Sequence, residues 1–248
     1  MEKVRIEANG DVAILRLDNG TTNPIGEEMI HHLQEKLDEA RNKFKAIVLA
    51  GNTKFFSIGL DLPTLMPLDR SRMTDFWYRF NRVMSDLYTL PLPTVSAVTG
   101  HAIAGGAILC LTSDYRLAAD GKLKLGLNEV KLGVPVPYLA DMTLREIVGE
   151  RAATDMLYNG NLISVYEAQK IGLVDNVYPP EAVEKEAVTL ASKLAALPPS
   201  AFSAIKSNRV EQNRLRNENS PNARPEVFLD CWFMDSTRQL LRKACEAF

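Results

Sequence analysis

The chain has 248 residues, 46% hydrophobic and 24% charged, which is enough apolar chain for one large α/β body, with or without an appendage. A formal net charge of -2 carries no nucleic-acid footprint, so a polyanionic partner is not expected. Cys110, Cys231 and Cys245 lack CxxC or CxxH spacing, and no apolar run approaches the ~18 residues of a membrane span; disulfide framework, zinc site and membrane anchoring are all unsupported.

The opening MEKVRIEANG has neither a signal-peptide core nor an Arg-rich, acid-poor transit character, so a cytoplasmic location is expected. Residues 4–17 alternate in hydrophobicity around Asn9-Gly10, which predicts a β-hairpin. Met29, Ile30, Leu33, Leu37 and Ala40 then recur at helical spacing before the buried strand AIVLAG at 46–51. A strand-helix-strand crossover of this kind builds a parallel sheet. The pattern recurs: a helix over 71–90, a buried strand in PLPTVSAVTG, an apolar helix after Gly105-Gly106, and the strand YRLAA at 115–119. From residue 140 the periodicity is helical, over 140–149, 150–159, 164–171, 180–196 and after Pro198-Pro199. Residues 211–226 are polar and contain proline, which predicts a loop or frayed helix before one last amphipathic helix with Val227, Cys231, Met234 and Leu241.

Two stretches share one arrangement, a buried strand, a glycine loop and a helix start: AIVLAGNTKFFSIGLDL and TVSAVTGHAIAGGAILCL. Each loop can present one unpaired backbone N–H, and two such donors aimed at one point stabilise charge on a carbonyl oxygen without any polar side chain. Tight helix-on-strand packing is the simpler account of either loop taken alone. Neither fits a nucleotide-phosphate pattern. Glu129, in LGLNEVKLG, reads either as a partly buried general base or as a solvated charge beside Lys131. His31 and His32 fall on a charged helix surface, and His101 borders the second loop without a nucleophile motif. Ser57 and Asp61 are expected to shape a turn and cap a helix.

In FFSIGLDL (55–62), GHAIAGGAILCLTSDYRLA (100–118), LGLNEVKLGVPVP (125–137) and ERAATDMLYNGNLISVYEAQKIGLVDNV (150–177) the sequence resembles the crotonase, or enoyl-CoA hydratase/isomerase, superfamily. The resemblance runs over residues 4–206. It implies an α/β fold: a crotonase-like spiral of ββα units over 1–196, then a C-terminal helical trimerisation region over 197–248. It further implies a homotrimer, or a hexamer built as a dimer of trimers, and a pocket for an acyl-CoA thioester. Coenzyme A is then part of the substrate, and no separate cofactor or metal is implied. The family's two thioester-binding N–H groups map onto Leu60 and Gly105, and its CoA contacts onto Ile58, Gly59, Asp61 and Leu62.

One position departs from the family hydratases. Of their two glutamates this chain keeps Glu129, whereas the other place holds Ile108, which neither accepts a hydrogen bond nor takes a proton. In this respect, and in GLNE followed by LG, it is similar to the mitochondrial-type Δ3,Δ2-enoyl-CoA isomerases. Such a reaction needs only one base; Glu129, Leu60 and Gly105 are then catalytic, and Asn128 contacts the substrate or holds Glu129. The alternatives are hydration, thioester hydrolysis or decarboxylation with Asp141 or Glu146 replacing the missing carboxylate, or a non-catalytic acyl-CoA-binding subunit. Met66, Met73, Phe76, Trp77 and Phe80 are expected near the acyl tail. Lys206 and Arg209 read as solvated surface charges or contacts to CoA phosphates.

Overall fold

The computed structural model describes residues 2–246; residues 1 and 247–248, the outer ends of the two expected regions, lie outside it. β1 (Val4–Asn9) and β2 (Val12–Leu17) form the expected hairpin, antiparallel from Val4↔Leu17 to Asn9↔Val12. Its turn is Gly10-Asp11, one residue later than the Asn-Gly signal implies, with Gly10 at φ 57°. Then come β3 (Pro24–Ile25), α1 (Glu27–Lys43), β4 (Ala46–Ala50), β5 (Phe55–Ser57), β6 (Gly59–Leu60), α2 (Leu62–Leu65) and α3 (Arg70–Tyr88). The next two units are β7 (Thr94–Val98), β8 (His101–Ile103) and α4 (Gly105–Leu111), then β9 (Tyr115–Ala119), β10 (Lys124–Gly126), a 3-10 turn (Glu129–Leu132) and α5 (Tyr138–Asn159). Gly149, at φ 79° and ψ 161°, divides α5 in two, as the sequence predicts. β11 (Ile163–Ser164), α6 (Val165–Lys170), β12 (Asn176–Tyr178) and α7 (Val183–Ala195) follow, and α8 (Pro199–Asn219), α9 (Pro225–Trp232) and α10 (Asp235–Glu246) end the described chain.

The sheets show why the units repeat. A six-stranded sheet has the order β1-β2-β4-β7-β9-β12, a four-stranded sheet β11-β10-β8-β5, and β3 pairs with β6. In three successive units the first strand (β4, β7, β9) joins the large sheet, the second (β5, β8, β10) the small one, and a helix follows. This is the ββα spiral. The large sheet is parallel beyond its first pair and buried on both faces, so its strands read as continuous apolar runs. On β2, Val12 and Ile14 face α7 together with Val48, Val95 and Leu117, while Ala13, Leu15 and Leu17 face the main core.

The C-terminal part corrects three expectations. Residues 211–219 continue α8, so of the expected loop or frayed helix the loop is excluded: α8 buries Lys206, Val210 and Asn213 on one stripe, and with two of the three polar no apolar periodicity appears. Asn213 donates to the Tyr88 hydroxyl and to Glu146, and Arg214 pairs with Glu218 one turn on. The single last helix is two, α9 and α10, broken at Phe233 and Met234. Lys206 is neither solvated nor free to meet a phosphate. Its ammonium is buried, 2.7 Å from Asp114 Oδ2 and 2.8 Å from the Leu92 carbonyl; burial pushes its pKa down and Asp114 opposes the shift. Arg209 pairs with the other Asp114 oxygen at 2.7 Å.

Asp114 therefore ties α8 to the large sheet, and it also accepts from the Thr94 N–H and hydroxyl. Asp114→Ala leaves a buried ammonium unpaired and is expected to lower the unfolding free energy in urea by about 3–5 kcal/mol.

Candidate active site

The site begins where the two glycine loops touch. Ser57 donates its hydroxyl to the Asn23 carbonyl at 2.7 Å and accepts the Gly59 N–H at 3.1 Å, fixing the first turn as expected. The Asp61 N–H reaches the Ile25 carbonyl at 3.0 Å, so alternation along β6 turns the Leu60 N–H to the opposite edge, toward the second loop. Asp61 stands at the start of α2, but its side chain makes no capping bond, a correction to the sequence reading. In the second loop Gly105 is the first residue of α4, so its N–H has no intrahelical acceptor; the first such bond runs from Ile108 N–H to the Ala104 carbonyl at 2.9 Å. Ala104 holds φ 49° and ψ -121°, a conformation rare outside glycine, with its own N–H bonded to the Gly126 carbonyl.

The two glycines do different work. A Cβ on Gly106 would lie 2.2 Å from the Ser57 carbonyl oxygen, so this position permits the loops to pack. A Cβ on Gly105 would lie 3.2 Å from Gly59 Cα and 3.5 Å from the Leu60 nitrogen, so the backbones that carry the Gly105 and Leu60 N–H groups approach closely. Two adjacent N–H groups of this kind can hold one developing oxyanion.

A cavity of about 200 Å³ lies against them. It gathers Ile58, Leu60, Asp61 and Leu62 from the first loop, Gly105 from the second, and Asn128 and Glu129 from the turn after β10. Gly59 alone among the expected site residues stays behind the wall, packed on Gly105. Glu129 is 6% exposed, which removes the solvated reading. Burial raises its pKa to about 7, only its own backbone N–H opposes the shift, and its Oε2 has no hydrogen-bond donor. Lys131 bonds Asn161 instead, at 2.8 Å. Asn128 Oδ1 is likewise buried without a partner. Ile108 is on the wall of the same cavity, 4% exposed.

Neither proposed substitute carboxylate is here. Asp141 pairs with Arg145, and Glu146 accepts from Tyr88 and Asn213 away from the cavity. His101 Nδ1 accepts the Lys124 N–H, also outside it. His31 is exposed, whereas His32 is half-buried and accepts the Lys3 N–H at 3.1 Å. Among the described residues no group of three His, Cys, Asp or Glu side chains is placed to hold a metal ion.

Of the expected apolar border, Trp77 and Phe80 line the cavity, whereas Met73 and Phe76 are in the core and Met66 contacts Cys245. The sequence reading missed a further part of the wall: Phe228 and Trp232 of α9 and Leu241 and Cys245 of α10. Phe228 stacks on Trp77 at 3.5 Å between ring centroids and 11° between planes. The apolar periodicity of 227–241 was the available signal, but it says only that one face is covered, not what it covers.

The sequence profile described as enoyl-CoA hydratase/isomerase matches residues 7–246. A Thermus thermophilus protein provisionally named an enoyl-CoA hydratase is 38% identical over 82% of this chain and 81% of its own length. The human mitochondrial enoyl-CoA delta isomerase 1 is 30% identical over 98% of this chain and 82% of its own. The crystal structure of human mitochondrial Δ3,Δ2-enoyl-CoA isomerase superposes with a TM-score of 0.94 at 29% identity, covering 99% of this chain and 97% of that one.

The Glu129 shift sets the sign of a stability change. Its folded pKa of about 7 stands above the unfolded value near 4.5, so the folded state holds the extra proton between them and loses stability as pH rises through that window. Glu129→Gln removes the penalty. The variant is expected to be more stable than wild type above pH 7, by up to about 3 kcal/mol, with the difference vanishing below about pH 4.5 in denaturant titrations.

Proposed function

Because this chain belongs to the enoyl-CoA hydratase/isomerase family, we propose that it moves the double bond of a 3-enoyl-CoA into the 2-position, with Glu129 as the single proton carrier. The observation that supports this most is the pairing of a buried Glu129, its Oε2 without a donor, with Ile108 on the wall of one cavity. The Glu129 carboxylate takes a proton from C2, and the electron pair moves into a dienolate whose negative charge falls on the thioester oxygen. The N–H groups of Leu60 and Gly105 hold that oxygen, and the Glu129 carboxylic acid returns the proton to C4. Atoms and charge balance without any further reagent. One such donor is worth about 2.7–4 kcal/mol in kcat and a positioned base about 10²- to 10⁴-fold.

In this reading Ile58, Gly59, Asp61 and Leu62 follow the coenzyme A portion, Asn128 contacts the acyl group or steadies Glu129, and no separate cofactor or metal takes part. Assembly as a homotrimer or a dimer of trimers, and a cytoplasmic location, belong to the same reading. Hydration is the second reading. It is favoured by the name of the 38%-identical relative and by Asp61, a second carboxylate on the cavity wall.

Conversion of 3-hexenoyl-CoA to 2-hexenoyl-CoA, followed by absorbance beside hydration of 2-hexenoyl-CoA, separates the two. Isomerisation is expected to dominate, with kcat/KM rising through about pH 7 as Glu129 ionises. Glu129→Gln is expected to lower kcat at least about 10²-fold while acyl-CoA binding stays nearly intact. Hydration as the faster reaction would replace the isomerase reading.

A further inference from the structure

No donor bonds Glu129 Oε2, so bonding at that oxygen does not hold the carboxyl in place and its position depends on the backbone of its turn. That turn is a single 3-10 stretch, Glu129–Leu132, closed by Gly133 at φ 78°. Short 3-10 turns have poorer hydrogen-bond geometry than α-helix, and a glycine at positive φ adds freedom. The turn's backbone bonds run from the Lys131 N–H to the Asn128 carbonyl at 3.0 Å, and from Gly133 N–H to the Val130 carbonyl and Val134 N–H to the Glu129 carbonyl at 3.2 Å, the upper end of the ordinary range.

Gly160 packs against Asn128, Val130 and Lys131 from one side, and one hydroxyl from outside bonds the backbone of the turn. Thr237, 3% exposed on α10, donates its hydroxyl to the Gly133 carbonyl at 3.2 Å. Among the described residues no other side chain from outside the turn bonds the backbone of residues 129–133. The fit is close, since a Cβ on Gly133 would lie 2.7 Å from Thr237 Oγ1. The same helix is tied elsewhere by Arg238, which donates to the Met66 carbonyl at 2.6 Å, and it walls the cavity with Leu241, Ala244 and Cys245.

We propose that Thr237 is a positioning residue: through its bond to Gly133 the C-terminal helix fixes the turn that carries Glu129 and keeps that carboxyl in its dry place on the cavity wall. The inference rests on the reading of Glu129 as the proton carrier only for its effect on turnover, because the titration of Glu129 reports the same coupling directly. Loosening the turn admits water, and burial is the cause of the raised pKa, so the pKa falls toward the ordinary carboxylate range. The other ionisable side chains on the cavity wall are Asp61 and Cys245, and Lys131 is on the turn itself, turned to Asn161.

The test compares wild type, Thr237→Val and Thr237→Ser. Isotope-edited infrared titration follows the Glu129 carboxyl, assigned by its loss in Glu129→Gln, beside 3-hexenoyl-CoA isomerisation. Thr237→Val is expected to titrate at least about half a unit lower, with kcat down about tenfold and KM within about twofold. Thr237→Ser restores both. Should valine prevent folding, Thr237→Ala removes the same donor. An unmoved Glu129 titration in the hydroxyl-less variant, or a serine variant as impaired as valine, overturns the inference. A wild type that does not isomerise, together with a titration that shifts as expected, overturns the functional reading and leaves the positioning role standing.

Discussion

The site depends on one backbone-to-backbone contact, between the turn after β5 and the turn before α4. Gly106 sits where any side chain would strike the Ser57 carbonyl, and Gly59 and Gly105 face each other with no Cβ between them. Only this closeness puts the Leu60 and Gly105 N–H groups next to one another. Leu60 belongs to β6, paired on β3, and Gly105 to the first turn of α4, so backbone pairing and not a side-chain rotamer sets where these N–H groups lie. The backbone is strained for it: Ala104 holds a conformation worth about 1–3 kcal/mol, kept in place by the bond to Gly126 and the start of α4.

The second constraint comes from the far end of the chain. Glu129 is buried because α9 and α10 cover the cavity that the spiral leaves open, and Phe228, Trp232 and Leu241 belong to the same apolar cluster as the strands of the large sheet. The residues that wall the cavity and those that form the core are thus continuous. Packing that stabilises the fold also excludes water from the carboxylate, and the raised pKa is the electrostatic consequence.

What could be read beforehand follows from how local each signal is. Strands buried on both faces and helices with five apolar residues on one face declare themselves, and so did the two loops, because a glycine after a buried run has few other uses. The ladder of β3 on β6 could not be seen, since two residues have no period. The start of α8 was legible at Pro198-Pro199, but its continuation over 211–219 was not, for a related reason: the buried stripe is Lys206, Val210 and Asn213, and their partners Asp114, Tyr88 and Glu146 are distant in sequence. The depth of Glu129 was equally non-local. Its neighbours fit a base or a surface charge alike, and the decision lies with helices about a hundred residues later.

Ile108 then decides what the buried carboxylate can do. Two carboxylates in one dry cavity repel, couple and titrate as a pair, which drives one of them to a much higher pKa. With isoleucine on the same wall, burial, opposed only by the residue's own backbone N–H, sets the Glu129 value, and about 7 is where a carboxyl can both accept and return a proton near neutrality. Asp61 does not restore the pair, since its carboxyl is half-buried and contributes nothing to the Glu129 shift. Isoleucine also offers no hydrogen bond to a water molecule. The same side chain therefore gives Glu129 neither a charged nor a hydrogen-bonding neighbour, and its proton affinity follows from the dryness of the cavity.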